Sequence, residues 1–179
     1  MSLLKRIYTI GHSTRGLDEF TALLEEHGIA RLADIRRYPG SRRYPHFSGE
    51  SLQQTLPSRG IAYEHFDSLG GRRKASAGSE NGAWNNDQFR GYADHMATDE
   101  FRSAVARLLA DERSTAVMCA EAVPWRCHRN LLSDDLLRRG VEVIHIIGAG
   151  SAQLHALSKM ARLKPDRVIY PPQQSTIFD

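Results

Sequence analysis

The segment 118–129, "MCAEAVPWRCHR", contains both cysteines of the chain, a glutamate, a histidine and two arginines. Three chemistries could use such a set. A thiolate beneath a phosphate-binding loop needs five residues between cysteine and arginine. Here Trp125 holds that position, Arg126 falls one place late, and Glu121 would repel a phosphate. A metal site could draw on Cys119, Cys127, His128 and His12, but the interval between the cysteines fits no common zinc spacing. The third chemistry makes Glu121 an acid or base, helped by Cys119 or His12, with arginines and a helix start holding an anionic substrate. In a water-poor rim a carboxylate is raised towards proton transfer, whereas one fixed by arginine stays ionised. The sequence leaves both states open. The expected site has no metal and no cofactor.

The flanking residues predict how this segment is held. "STAVMC" (114–119) reads as a strand and "PWRCHRNLLSDDLLRRG" (124–140) as a helix, with Pro124 in the first turn, where a missing N–H costs nothing. The positive end of that helix would lower a nearby thiol pKa and attract anions. Further strands are expected at 6–11, 30–36, 61–66 and 141–148. Helical spacing appears at 17–28, in a short piece at 50–60, and at 88–112 with a break near Thr98–Asp99. "SAQLHALSKMARL" (151–163) reads as a helical turn or two, and 67–87 is a long loop rich in glycine and serine. This alternation predicts a single α/β domain over 1–170. It would be a doubly wound, mainly parallel sheet of five strands or slightly more, with helices on both faces and a tail at 171–179.

In such sheets ligands bind outside the carboxyl ends of the strands. There the sequence places His12, Ser13 and Thr14 after the first strand and Asp34, Arg36 and Arg37 after the second. Cys119 and Glu121 follow the fourth, and His145 lies near the end of the fifth, where alternation with Val143 and Ile147 also fits a buried, hydrogen-bonded histidine. Their convergence on one rim is the main expectation. Glu121, Cys119 and His12 are the catalytic candidates. Ser13, Thr14, Asp34, Arg36, Arg37, Ser41, Arg42, Phe47, Arg72, Arg73, Trp84, Arg126, Cys127, His128 and Arg129 are the substrate-binding candidates, with Trp84 and Tyr38 available either to stack on a base or to anchor their loops.

Composition narrows the class. The 179 residues carry a net charge of +3, and all but Lys5, Lys74, Lys159 and Lys164 of the basic residues are arginine, the side chain whose fork matches phosphate and carboxylate. Arg31, Arg36, Arg37, Arg42 and Arg43 crowd one segment, and Arg72, Arg73 and Lys74 another. Two cysteines are too few for a disulfide framework. No apolar run spans a bilayer and no signal peptide opens the chain, so a cytoplasmic protein without membrane contact is expected.

The segments "YTIGHS" (8–13), "ADIRRYPGSRRYPHF" (33–47), "LGGRR" (69–73), "FRGYADHM" (89–96) and "CAEAVPWRCHR" (119–129) together resemble the domain of unknown function 488 family, from about Ile7 to Ile146. The resemblance implies an α/β domain and brings no settled reaction with it. It marks His12, Ser13, Asp34, Arg36, Ser41, Arg42, Phe47, Cys119, Glu121, Cys127, His128 and Arg129 as motif positions, which overlap the strand-end residues chosen on physical grounds.

After Pro171 and Pro172 comes "QSTIF" (174–178), which looks like a short peptide that docks on the bacterial sliding clamp. Ile177 and Phe178 would fill an apolar pocket and Gln174 would orient the peptide; alternatively the pair folds back on its own domain. The expected partner is nucleic acid or a nucleotide, for an enzyme associated with DNA repair. A clamp-docked accessory module and a small-molecule hydrolase or transferase with an anionic substrate are the alternatives.

Overall fold

The computed structural model describes residues 4–174. The β-branched and aromatic run at the start forms β1 (Arg6–Gly11), and α1 (Leu17–Glu26) follows, burying Phe20, Leu23 and Leu24. β2 (Arg31–Asp34) leads into the arginine loop and α2 (Gly49–Thr55), whose first turn is capped by Ser48 accepting from Ser51 N–H. Pro57 converts the rest of that segment to a 3-10 turn before β3 (Ala62–His65). The helical stretch at 88–112 is two helices, α3 (Asp87–His95) and α4 (Asp99–Ala110). The Thr98 hydroxyl caps the second by accepting from Phe101 N–H. β4 (Thr115–Cys119), α5 (Arg129–Arg138) and β5 (Glu142–Gly148) complete the alternation.

The six-stranded sheet runs in the order β3-β2-β4-β1-β5-β6, the first five parallel and β6 (Ser151–Leu154) antiparallel to β5. Ile10, Leu32, Ala116 and Met118 pack with α1 and α2 on one face, while Ile7, Ala33, Val117 and Val143 pack with α3, α4 and α5 on the other. The sheet is therefore doubly wound in a single α/β domain. From β1 the chain turns to α1 on one face; from its neighbour β4 it turns to α5 on the opposite face. The carboxyl ends of these two strands thus form a topological switch point, where a crevice opens.

Two expectations need correction, and for His145 the buried, hydrogen-bonded reading is the one that holds. Residues 151–163 are not helical: they form β6 at the sheet edge and, with β7 (Arg162–Leu163), part of a small ladder against β8 (Val168–Ile169). Pairing with β5 outweighs the weak helical spacing. The helix expected from Pro124 starts at Arg129, after a 3-10 turn over Pro124–Arg126. His145 belongs to a buried chain of hydrogen bonds. Thr9 O–H donates to His145 Nδ1 (2.6 Å), His145 Nε2–H to His155 Nδ1 (2.9 Å), and His155 Nε2–H to Asp134 Oδ1 (2.8 Å). Tyr170 O–H donates to Asp134 Oδ2 (2.7 Å). This one set of neutral tautomers satisfies every member. Burial, then the neighbouring His155 and Arg129, pushes His145 down to about 3, in keeping with the neutral form.

No helix among the described residues is long and apolar enough to cross a membrane.

Candidate functional site

A cleft of about 710 Å³ lies over the switch point. It is lined by His12, Ser13 and Thr14 from the end of β1; by Arg36, Arg37, Tyr38, Ser41, Arg43 and Tyr44 from the loop after β2; and by Cys119, Glu121, Arg126, Cys127 and His128 from the segment after β4. Gly71, Arg72, Gln88 and Phe89 close the remaining side. Three distant segments thus meet at one rim.

One glycine permits the meeting. A Cβ on Gly11 would lie 1.6 Å from the Glu121 carbonyl oxygen, so the 120–122 loop can cross the end of β1 only over a residue without a side chain. The crossing is held by His12 N–H donating to Cys119 O (3.0 Å) and Ser13 N–H donating to Ala120 O (2.9 Å). Ser13 (φ 47°) and Arg72 (φ 56°) are the non-glycine residues with left-handed backbone among those described, and both face the cleft. Such strain collects at ligand sites.

Beneath the floor, Asp34 is fully buried and does not line the cleft. Its Oδ1 accepts from Arg36 Nε–H (2.9 Å), and its Oδ2 from Arg36 Nη2–H (2.6 Å) and Tyr63 O–H (2.7 Å). The bidentate pair fixes the Arg36 plane, whose Nη2–H also reaches Phe47 O (2.8 Å) and whose Nη1–H points to His12 Nε2 (3.4 Å). His12 Nδ1–H donates to Ser13 O (3.0 Å), and the ring stacks on Phe47 at 4.6 Å. Burial, and then the Arg36 charge, lower the His12 pKa, leaving a neutral imidazole with its Nε2 lone pair toward Arg36. Phe47 is a buried support for this ring.

The positions are unequal. Glu121 is exposed and is the one carboxylate among the lining residues. Arg42 is exposed on the same loop but outside the lining, and Arg73 turns into an adjoining groove. Arg129 is fully buried behind the loop, where Nη2–H donates to Glu121 O (3.0 Å). Burial pushes His128 down to about 4, and its Nε2–H donates to Ile35 O (3.1 Å). Trp84 packs edge-on against Phe89 and Tyr170 and lies outside the lining, as a loop anchor. Arg31, although close to Arg36 in sequence, is buried at the opposite end of β2, where it pairs with Glu64 and Asp111. Gln174 is exposed, while Ile177 and Phe178 lie outside the described residues.

Tyr44, Gln88 and Phe89 were not candidates. Phe89 opens the "FRGY" motif, which was the available signal. Trp125, rather than Trp84, is the exposed indole, at 58 %.

The arginines divide sharply. Arg37, Arg43, Arg72 and Arg126 line the cleft with no carboxylate within 4.0 Å among the described residues. Most other arginines are paired, as in Arg15–Glu19, Arg31–Glu64, Arg59–Asp18, Arg138–Asp135 and Arg167–Glu80, with Arg42, Arg129 and Arg162 the exceptions among the described residues. An adjoining groove lined by Arg72, Arg73, Lys74, Ser76, Asp87, Gln88 and Arg90 shares Arg72 and Gln88 with the cleft. No group of three or more histidine, cysteine, aspartate or glutamate side chains among the described residues could hold a metal ion.

No curated protein and no solved structure matches the chain. A family profile does, described as Domain of unknown function DUF488 and covering residues 16–136, which takes in the arginine loop, the "FRGY" helix and the cysteine segment. With most of its length matched, the chain belongs to the DUF488 family.

Proposed function

We propose that the cleft binds a nucleic-acid strand by its phosphates and that the protein is an enzyme acting on that strand in the cytoplasm, in the setting of DNA repair. The observation that carries this reading is the gathering of Arg37, Arg43, Arg72 and Arg126, their charges unneutralised by the described residues, around one opening. Phosphate contacts of this kind supply most sequence-independent affinity. A strand is favoured over a mononucleotide because the basic groove at Arg73, Lys74 and Arg90 continues from the cleft through Arg72. Exposed Tyr38 (64 %) and Trp125 offer rings on which bases can stack.

Within this reading Glu121 is the acid or base, as the one carboxylate among the lining residues. His12, neutral and oriented by Arg36, assists it. The reaction class is hydrolysis or group transfer. The peptide at 174–178 would bring the enzyme to a sliding clamp, with Ile177 and Phe178 as anchors.

Fluorescence anisotropy with labelled single-stranded DNA, duplex DNA and a labelled mononucleotide tests the binding. Strand binding at least tenfold tighter than mononucleotide binding is expected; equal affinities support the small-anion reading instead. Glu121→Gln should bind as the wild type does while losing turnover of the bound strand. Retained turnover removes Glu121 from the chemistry, and an absence of any turnover supports the accessory-module reading. Deleting 173–179 should abolish clamp association and leave strand affinity unchanged.

A further inference from the structure

The sulfurs of Cys119 and Cys127 lie 3.0 Å apart, brought together by the end of β4 and the turn that precedes α5. Both side chains are nearly buried, yet both border the cleft, so a small solute can reach them from its floor. Behind them sits Arg129, fully buried, with Nε and Nη1 unpartnered and no carboxylate within 4.0 Å among the described residues. A buried guanidinium without a counter-charge is costly. The negative charge available beside it is a thiolate of this pair.

We propose that Cys119 and Cys127 are a redox-active dithiol that peroxides convert to an intramolecular disulfide, with Cys119 as the attacking thiolate and Cys127 as the resolving thiol. The Cys119 sulfur attacks one peroxide oxygen; the O–O bond breaks, hydroxide leaves, and a sulfenic acid forms on Cys119. Cys127 then attacks that sulfur. The S–O bond breaks, and the departing hydroxide takes the Cys127 proton and leaves as water. With one solvent proton for the first hydroxide, the two sulfurs lose two electrons and the peroxide becomes two waters.

The surroundings separate the two roles. Burial pushes the Cys119 thiol up, but the hydrogen bond from Cys127 S–H and the Arg129 charge outweigh it and bring the thiol down to about 7. Burial and the adjacent Cys119 raise Cys127, which keeps its proton. The Arg129 backbone N–H donates to Cys127 Sγ (3.2 Å), so the proton order runs from amide to thiol to thiolate. The charged and titratable groups facing the pair are Arg129 from α5, Glu121 from the loop and Tyr92 from α3. The chemistry of the pair is independent of what the cleft binds.

The test uses the reduced full-length protein. After exposure to hydrogen peroxide it is unfolded, alkylated with iodoacetamide and weighed intact. The expected result is loss of both alkylatable thiols and of the mass of two hydrogens, reversed by dithiothreitol, with a Cys119–Cys127 linked peptide on proteolysis. Cys127→Ser should stop at a sulfenic acid on Cys119 that dimedone captures, and Cys119→Ser should leave Cys127 reduced. Full alkylation of peroxide-treated wild type, or over-oxidation of one cysteine without a linked peptide, overturns the proposal. So does oxidation of Cys127 in Cys119→Ser at the wild-type rate. The wild-type peptide map stands whether or not either variant folds.

Discussion

If the arginines that line the cleft hold phosphates, the affinity for a strand must carry their number in its salt dependence. Arg37, Arg43, Arg72 and Arg126 are counted; Arg36 is not, because Asp34 already neutralises it. A single strand that displaces counterions at these four positions gives a slope of about −0.7 per contact, or about −2.8, for log K against log salt. Raising sodium chloride fourfold, from about 50 to about 200 mM, then weakens binding about 50-fold. Arg72→Ala removes one contact, which lowers the slope to about −2.1 and the loss over the same range to about 20-fold. The assay is anisotropy of a labelled oligonucleotide titrated with protein at a series of salt concentrations, for wild type, Arg72→Ala and the Arg72→Ala/Arg126→Ala pair. A slope near zero, or one that the double substitution leaves unchanged, refutes the assignment of phosphate contacts to these side chains.

Other perturbations reach the scaffold. Asp34→Asn leaves the buried Arg36 charge uncompensated and should cost about 3–5 kcal/mol in urea unfolding. Gly11→Ala forces a methyl group against the Glu121 carbonyl and should cost about 1–3 kcal/mol or more, with weakened strand binding because the loop bearing Glu121 and Arg126 is displaced. His145 falls from its ordinary 6.5 to about 3 in the folded chain, through burial and then its neighbour His155. Below 6.5 the unfolded chain therefore binds a proton that the folded chain refuses. The stability that the neutral form confers is present above 6.5 and should be lost as pH falls toward about 3, read as a declining urea midpoint.

The α/β alternation was legible because period-2 and period-3.6 runs are separated by strong punctuation, and the Thr98 cap marked the division between α3 and α4. The meeting of His12, Arg36 and Glu121 followed from strand polarity alone, but the same reasoning put Asp34 on the rim, whereas it lies buried beneath the floor. What pattern could not supply was direction after a loop. Arg31 and Arg36 look alike in sequence, but β2 carries the chain from one rim to the other between them, so one arginine is structural and the other borders the cleft. Trp84 is the loop anchor and Trp125 the exposed indole because exposure depends on packing, here of Trp84 against Phe89 and Tyr170, which the pattern around neither indole reveals. The contact between the cysteines depends on a 3-10 turn where the proline suggested an α-helix. The edge strand at 151–154 was hidden because residues with little strand preference pair there only because β5 offers them an open ladder.

The buried chain from Thr9 to Tyr170 has a practical consequence for anyone shortening this protein. The family match ends at residue 136, and a fragment trimmed there would keep every residue of the cleft while discarding His145, His155 and Tyr170. It would also lose β5, a direct neighbour of β1 in the sheet, and would strip Asp134 of both its histidine and its tyrosine partner. The recognisable portion and the smallest self-sufficient portion of this chain are different lengths, and expression of the shorter one should yield aggregate rather than a working minimal version.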